Sequence, residues 1–273
     1  MKKRILSLIG GLVAVSAQAI TPLWLRDTQV SPDGTAIAFC YKGDIYTVSA
    51  QGGTARQLTT QASYECNPIW SPDGKQIAFA SDRDGNFDIY IMSVHGGSAK
   101  KLTKNSASEL PSAFTPDGKY VVFSANIQDP AQSAFFPSGA MTELYKVPVA
   151  GGRTQQIIAT PAEAVCYMQD GQSFLYQDRK GVEDEWRKHH TSSVTRDIWL
   201  YDGKSGKHTN LTNIGGEDRD PSLAPDGKTV YFLSERKDGS MNVYSFDLNN
   251  PKDIKSVTNF KTHPVRFLSV GNE

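Results

Sequence analysis

The segment 183–197 carries the densest group of side chains that could do chemistry. Its charged and imidazole side chains are Glu183, Asp184, Glu185, Arg187, Lys188, His189, His190, Arg196 and Asp197, with Ser192 and Ser193 among them. A serine beside a histidine and a carboxylate has the composition of a nucleophile with its general base, and histidines with carboxylates also ligate metals. Two adjacent histidines, however, point to opposite sides of an extended chain, so proximity in sequence does not supply the required geometry.

No serine-hydrolase signature accompanies this segment, because the sequence contains no Gly-x-Ser-x-Gly nucleophile elbow. We therefore predict no catalytic residue, no metal site and no cofactor in the chain, although catalysis and metal binding stay open as alternatives. The functional interpretation is contact with a peptide or another domain. It involves Glu183, Asp184, Glu185, Arg187, His189, His190 and Arg196. A purely structural loop is the simplest alternative.

A second segment, 126–140, is rich in proline, alanine and serine and holds Phe135 and Phe136 near its centre. An exposed aromatic pair on a loop is typical of an interface. We therefore predict the same kind of peptide or inter-domain contact for these two residues. The alternative is that they hold their own loop against the fold.

A recurring turn phrase indicates which elements position these segments. It occurs at Ser31–Gly34, Ser71–Gly74, Thr115–Gly118, Met168–Gly171 and Ala224–Gly227, with final glycines 40 to 56 residues apart. Self-similarity at such a spacing is the signature of a repeat architecture. Proline presets φ at the second turn position and glycine accepts positive φ, so each complete Pro-Asp-Gly phrase predicts a tight turn.

Each repeat has the pattern of four short antiparallel strands. The third strand opens with a polar, an aliphatic and an aromatic residue, at 44–46, 88–90, 143–145, 197–199 and 242–244. The fourth strand carries a Leu-Thr pair or its equivalent, at 58–59, 102–103, 157–158, 211–212 and 257–258. A four-stranded sheet of this length cannot bury both faces alone, so stacked repeats predict a β-propeller.

The predicted fold class is all-β, a β-propeller of four-stranded antiparallel blades with five complete blades plus the first strand of a sixth. The blades are expected near 24–60, 61–105, 106–160, 161–213 and 214–260, with the sixth beginning over 261–273. His263–Ser269 matches the first strand of the earlier repeats. Because an unfinished blade leaves an unpaired edge, we expect a piece of a longer protein. A closed five-bladed ring is the alternative.

The Ser-Pro-Asp-Gly, Asp-Ile-Tyr, Gly-Gly and Leu-Thr series resembles the repeat of TolB and tricorn-type propellers from about Thr21 onward. Segments 183–199 and Met141–Tyr145 are similar to the N-terminal propeller of bacterial tricorn-type proteases. The resemblance implies a six-bladed propeller followed by a second propeller, a PDZ domain and an S41-type serine peptidase core. None of the family's catalytic residues is carried over to this chain.

The resemblance implies a propeller that guides or filters peptides and scaffolds a downstream catalytic domain. Its implied partners are peptides or unfolded protein segments and the C-terminal domains of the same chain, and self-association is left open. One alternative is a non-enzymatic, periplasmic TolB-like scaffold that binds proteins, although TolB places an α/β domain before its propeller. A second alternative is the propeller of a prolyl-oligopeptidase-type enzyme.

The first residues have the pattern of an export signal. Lys2-Lys3-Arg4 precedes an apolar run from Ile5 to Val15 and the cleavage-site pattern Ala17-Gln18-Ala19. We predict a signal peptide over 1–19 and a mature propeller over 20–273 that is soluble in the periplasm or outside the cell, with no membrane insertion after cleavage. Without the signal, 26 basic residues stand against 29 acidic ones, which argues against a nucleic-acid partner.

The three cysteines, Cys40, Cys66 and Cys166, are an odd number for an oxidising compartment. Each lies in a strand-like run, where cysteine commonly acts as a small buried hydrophobic residue. Their wide spacing without histidine partners argues against a metal site. A disulfide between Cys40 and Cys66 is left open.

Overall fold

The computed structural model describes residues 24–127, 141–182, 192–237 and 240–271. These residues form twenty β-strands and no helix. The strands are arranged in five antiparallel sheets of four, and consecutive strands are neighbours in every sheet. The predicted all-β propeller with five complete blades is therefore confirmed.

The blades follow one another along the chain. Blade 1 contains β1 (Arg26–Val30), β2 (Ala36–Tyr41), β3 (Asp44–Ser49) and β4 (Arg56–Gln57). Blade 2 contains β5 (Glu65–Trp70), β6 (Gln76–Ser81), β7 (Asp88–Ser93) and β8 (Lys100–Lys101). Blade 3 contains β9 (Glu109–Phe114), β10 (Tyr120–Ala125), β11 (Glu143–Pro148) and β12 (Gln155–Ile158). Blade 4 contains β13 (Ala162–Tyr167), β14 (Phe174–Asp178), β15 (Ile198–Tyr201) and β16 (His208–Asn210). Blade 5 contains β17 (Asp218–Leu223), β18 (Thr229–Ser234), β19 (Asn242–Asp247) and β20 (Asn250–Ser256).

The core lies between neighbouring blades. The cluster shared by blades 2 and 3 includes Ile89 and Ala78 from one sheet and Phe123 and Val121 from the next, all fully buried. Burying one such side chain contributes about 1.5 to 3 kcal/mol. This stacking supplies the second covered face that a single four-stranded sheet lacks.

Antiparallel pairing gives the propeller two distinct ends. The first-to-second and third-to-fourth strand connections of every blade lie at one end, which we call the turn face. The second-to-third strand connections and the links between blades lie at the other end, which we call the loop face. The described parts of the segments 126–140 and 183–197, residues 126–127 and 192–197, belong to second-to-third strand connections at the loop face.

The recurring turn phrase works through side-chain hydrogen bonds as well as backbone conformation. In blade 2 the Ser71 hydroxyl donates to the Asp73 carboxylate at 2.6 Å, and the Gln76 backbone N–H donates to the Ser71 hydroxyl at 2.9 Å. Gly74 closes the turn with φ of 68°, a conformation that glycine adopts without steric cost. The hydrogen bonds from Ser71 and from the Lys75 backbone lower the pKa of Asp73.

The Leu-Thr pairs mostly lie just beyond the fourth strand, not inside it as predicted. The threonine hydroxyl accepts a hydrogen bond from the backbone N–H of the aliphatic residue of the third strand. This contact is 2.9 Å in Thr59–Ile45 and Thr103–Ile89, 3.0 Å in Thr212–Ile198 and 2.9 Å in Thr258–Val243. The threonine side chain thus replaces a hydrogen bond of the strand ladder at the loop face. This explains why the Leu-Thr pair recurs together with the polar-aliphatic-aromatic triplet of the third strand.

Replacing Thr103 by valine is expected to lower the free energy of unfolding by about 1 to 3 kcal/mol, because the buried Ile89 N–H loses its acceptor. The matched control is Thr209→Val at the exposed middle residue of β16, for which we expect a change below about 0.5 kcal/mol. Urea unfolding of both variants measures the difference. Equal stabilities would contradict the role given to the threonine.

Residues 261–271 contain no assigned strand, but they repeat the geometry of an inner first strand. The Val265 backbone N–H donates to Met241 O at 2.8 Å, as the first residues of β5, β9, β13 and β17 do to the preceding blade. Phe267 O accepts a hydrogen bond from the Thr28 hydroxyl at 3.0 Å. No second strand pairs with this segment among the described residues, so it forms no ladder. It bridges blades 5 and 1 at the position predicted for the first strand of a sixth blade.

Candidate functional site

The first strands of all five blades surround a cavity on the propeller axis. Its volume is about 440 Å³. The lining comes mainly from β1, β5, β9, β13 and β17 and from residues 266–270 of the bridging segment, with Ser124, Gln177 and Arg179 beside them. We call this space the axial cavity. Its size is that of a ligand pocket, and every blade contributes to its wall.

A shared backbone irregularity shapes the wall of the axial cavity. All five inner strands contain a β-bulge. In four of them one residue is left-handed, namely Asp27, Asn67, Ala164 or Asp220, with φ between 50° and 53°. Phe267 repeats the conformation in the bridging segment, with φ of 58°. Bulges redirect side chains and end regular pairing. Here they place polar backbone and side-chain groups against the cavity.

A network of buried charges supports the wall between blades 4 and 5. The Glu163 carboxylate accepts hydrogen bonds from Arg179 and from Gln177 Nε2, the latter at 3.2 Å, and lies 3.6 Å from Arg196 Nε. Arg196 in turn donates to Glu217 at 2.8 Å. Although burial raises the pKa of the Glu163 carboxyl, the two guanidinium groups hold it below its usual value. Glu163 is therefore an ionised, fully engaged part of the wall.

Arg196 is the one predicted contact residue that the structure describes. Its side chain is 3% exposed, and its backbone N–H also donates to Glu217, at 3.2 Å. The arrangement assigns Arg196 to the interior of the fold, where it joins blades 4 and 5. The prediction that it contacts a peptide or another domain stays a prediction.

The remaining predicted contact residues lie outside the described residues. They are Phe135, Phe136, Glu183, Asp184, Glu185, Arg187, His189 and His190. The predicted signal peptide, 1–19, also lies outside them.

Glu109 is a functional candidate that the sequence analysis missed. It is fully buried at the start of β9, and no ion pair engages its carboxylate within the described ranges. Burial, with a further contribution from Asp88, outweighs the opposing effects of Thr103 and Lys101 and raises its pKa to about 7. The equivalent acids are paired, Glu65 with Arg83 at 3.0 Å and Asp218 with Arg236 at 2.8 Å. Blade 3 has Ile127 at the position of these arginines, so its acid is left without a cation of this kind.

The three cysteines are free thiols, so the structure contains no Cys40–Cys66 disulfide. The Cys40 thiol donates to Glu65 O at 2.9 Å, and burial raises its pKa to about 11. Burial raises the pKa of Cys66 and Cys166 as well. A thiol with a raised pKa carries little thiolate at neutral pH and is a poor nucleophile.

Large apolar side chains are exposed around the loop face. Trp24 is 74% and Val182 75% exposed, with Met141, Ile214 and Phe260 between 45% and 53%. Trp24 precedes β1, while Met141 and Val182 lie in second-to-third strand connections. Ile214 and Phe260 lie in the stretches that follow the fourth strands of blades 4 and 5. Clustered exposed apolar side chains are typical of an interaction surface.

The described ranges contain neither a metal-binding cluster nor a membrane-spanning helix. No three histidine, cysteine, aspartate or glutamate side chains are grouped so that they could hold a metal ion. The same ranges contain no helix of the length and apolarity that crossing a bilayer requires.

Comparison with known proteins identifies relatives of two kinds. Residues 22–273 match the family described as the tricorn protease N-terminal beta propeller domain. Dipeptidyl-peptidase 5 of Porphyromonas gingivalis is 27% identical over 286 residues, covering 88% of this chain and 41% of that protein. A TolB homologue of Chlorobium luteolum is 35% identical over 74 residues, covering 27% of this chain and 16% of that protein. The chain thus spans less than half of the length of these curated relatives.

Solved structures share the fold. The crystal structure of the tricorn protease superposes with a TM-score of 0.75 at 23% identity, covering 92% of this chain and 24% of that one. A putative TolB from Agrobacterium tumefaciens gives 0.70 at 19% identity, covering 87% and 82%. At these identities the likeness concerns the fold alone.

Proposed function

The chain belongs to the tricorn protease N-terminal β-propeller family, and from this membership we propose that it binds peptides or unfolded protein segments in its axial cavity. It thereby guides or filters them for a serine peptidase of the S41 type, while its blades scaffold the catalytic part. The chain itself carries no nucleophile elbow, so its contribution is binding and positioning.

The observation that carries this proposal is the composition of the axial cavity. The bulged backbone segments, together with the polar residues Asn67 and Ser222, line a space that all five inner strands enclose. Such groups hydrogen-bond to a peptide main chain whatever its sequence, since every peptide unit offers a donor and an acceptor. A lining of this kind suits a ligand that is recognised mainly through its backbone.

Export forms part of the same proposal. The charged start, apolar run and Ala17-Gln18-Ala19 pattern support cleavage after residue 19 and a periplasmic or extracellular location. The native protein, labelled with a serine-reactive probe in an envelope fraction, is expected to be far heavier than 29.9 kDa. An unlabelled species only slightly heavier than this chain would contradict the peptidase assignment.

The second candidate function is a TolB-like scaffold that binds a partner protein. The exposed apolar side chains of the loop face favour it, as does the local identity with the Chlorobium luteolum protein. A prolyl-oligopeptidase-type parent is the other alternative. The site of ligand binding distinguishes the scaffold function from the peptide-guiding function. A scaffold binds its partner at the loop face, whereas a peptide guide binds its ligand in the axial cavity.

Blocking the axial cavity tests the proposed function. We expect Ser112→Trp, which places an indole in the cavity, to weaken the binding of a fluorescent unfolded peptide by at least roughly tenfold. The control is Ser205→Trp, an exposed substitution on the turn face, which should leave binding unchanged. Ser222→Trp repeats the test from the opposite wall if the first variant folds poorly.

Two outcomes contradict the proposal. Wild-type protein that binds no peptide would exclude peptide guiding. Binding that both cavity variants retain, while their thermal unfolding stays cooperative, would place the ligand elsewhere and favour the loop-face scaffold.

A further inference from the structure

We propose that the contact between blades 2 and 3 is a proton-dependent joint, which stays closed while the Glu109 carboxyl is protonated and opens more readily once that carboxyl ionises. We call this contact the seam. It packs β5, β6 and β7 of blade 2 against β9 of blade 3. The joint does not depend on which ligand the axial cavity takes.

The equivalent contact between blades 1 and 2 shows which partners a buried acid has at this position. Ser81 lies opposite Glu65 in the strand ladder, and its hydroxyl donates to the Glu65 carboxylate at 3.0 Å. Arg83, two positions further along the chain, pairs with the same carboxylate at 3.0 Å. The acid therefore has both a hydroxyl and a cation as partners. Blade 5 supplies the same two kinds of partner to Asp218, namely Ser234 and Arg236.

Blade 3 has apolar residues at both of these positions. Ala125 lies opposite Glu109 in the ladder, and Ile127, two positions further along, packs against the apolar cluster of the seam. Glu109 itself is fully buried. Burying an ionised carboxylate without a paired cation costs far more free energy than burying the neutral acid. The blade 3 side of the seam therefore favours the protonated carboxyl.

The charged groups that interact with Glu109 among the described residues come from blade 2. Asp88 opposes its ionisation, whereas Lys101 and the Thr103 hydroxyl favour it. Lys101 is already engaged by two other carboxylates, because its Nζ lies 2.7 Å from Asp88 and 2.8 Å from Asp84. Burial, with the added effect of Asp88, prevails and raises the pKa of Glu109 to about 7. The carboxyl thus changes its charge close to neutral pH.

This titration is linked to opening of the seam. In the open state the carboxyl meets water and its pKa returns to the usual value of 4.5. The closed seam binds the proton more tightly, so opening is rarest below pH 4.5 and increases as the pH rises to about 7. With these two values, linkage gives a roughly tenfold increase in the opening equilibrium between pH 6 and pH 8.

The seam borders the axial cavity. Pro68 and Ile69 of β5 line the cavity on one side of the seam, and Leu110 and Ser112 of β9 line it on the other. Opening therefore changes the cavity wall between these two strands.

Amide hydrogen exchange of the full chain, followed by NMR, tests the joint. The Glu109 backbone N–H donates across the seam to Phe87 O at 2.8 Å, and the Glu65 N–H donates across the preceding contact to Gly43 O at 2.7 Å. We expect the protection factor of the Glu109 amide to fall roughly tenfold from pH 6 to pH 8. That of the Glu65 amide should change by less than about twofold. Protection factors are corrected for the intrinsic pH dependence of exchange, so the difference reports opening.

Three variants assign the effect to Glu109. Glu109→Gln, which cannot ionise, should remove the pH dependence of protection at position 109. The double variant Ala125→Ser/Ile127→Arg, which gives blade 3 the partners found in blade 2, should remove it as well. If the double variant does not fold, Glu109→Gln decides the question alone. Glu65→Gln is the matched control and should leave the pH response of the Glu109 amide unchanged.

Two results would overturn the joint. Equal falls in protection at Glu109 and Glu65 would mean that the proton acts on global unfolding and not on the seam. A wild-type Glu109 amide whose protection is the same at pH 6 and pH 8 would mean that its ionisation does not open the seam.

Discussion

Arg196→Ala is expected to lower the free energy of unfolding by about 3 to 5 kcal/mol, the largest single effect among the charged residues considered. The substitution removes the partner of Glu217, at 2.8 Å, and a neighbour of Glu163, at 3.6 Å. Both carboxylates then stay in a buried environment with less compensating charge. Chemical denaturation with two-state analysis measures the loss.

The control is Arg153→Ala on the turn face, which should change stability by less than about 0.5 kcal/mol. The experiment also distinguishes the two roles proposed for Arg196. A residue that contacts a ligand would leave stability almost unchanged on substitution and weaken peptide binding instead. That result would contradict the interior role that its burial assigns.

Glu109→Gln is expected to raise the free energy of unfolding by about 2 to 3 kcal/mol at pH 8 and to change it little at pH 4. The wild-type carboxyl has a pKa of about 7 in the folded protein, above its usual value of 4.5. The folded state therefore binds the proton more tightly, and wild-type stability falls as pH rises between these two values. Glutamine stays neutral, so the variant loses this part of the pH dependence.

Glu65→Gln is the matched control because Glu65 opens β5 as Glu109 opens β9. It is expected to destabilise the protein at pH 8, since Arg83 loses its partner at 3.0 Å. Opposite signs for the same substitution at equivalent positions would support the account. A Glu109→Gln variant whose stability follows the wild-type curve at every pH would refute it.

The sequence was sufficient to predict the fold because each local signal has a local physical cause. The phrase Ser71–Gly74 specifies a turn through a serine, an aspartate and a glycine within four residues, and the same solution recurs with Thr115 and Asp117. The pairing of Thr103 with Ile89 joins two sequence marks only fourteen residues apart. Interactions between residues this close in sequence can be recognised from a single sequence.

The axial cavity could not be predicted in the same way. Arg219 and Ser112 are 107 positions apart in the numbering and share a cavity only after the ring forms. The sequence does show that Glu109 lacks an arginine partner, because Ile127 occupies the position at which two other blades carry an arginine. Recognising these positions as equivalent, however, requires the exact register of each bulge. The segments 126–140 and 183–197 stood out in the sequence instead, since unusual composition is easier to detect than an absent ion pair.

The central claim is that peptides occupy the axial cavity, and cross-linking tests it most directly. An unfolded peptide with a photoreactive benzophenone side chain is irradiated with the full chain, and the modified residues are identified by mass spectrometry. We expect the cross-links on the inner strands, within β5, β9 and β17, and their loss in Ser112→Trp. Cross-links confined to outer strands or to the exposed apolar residues of the loop face would contradict the claim.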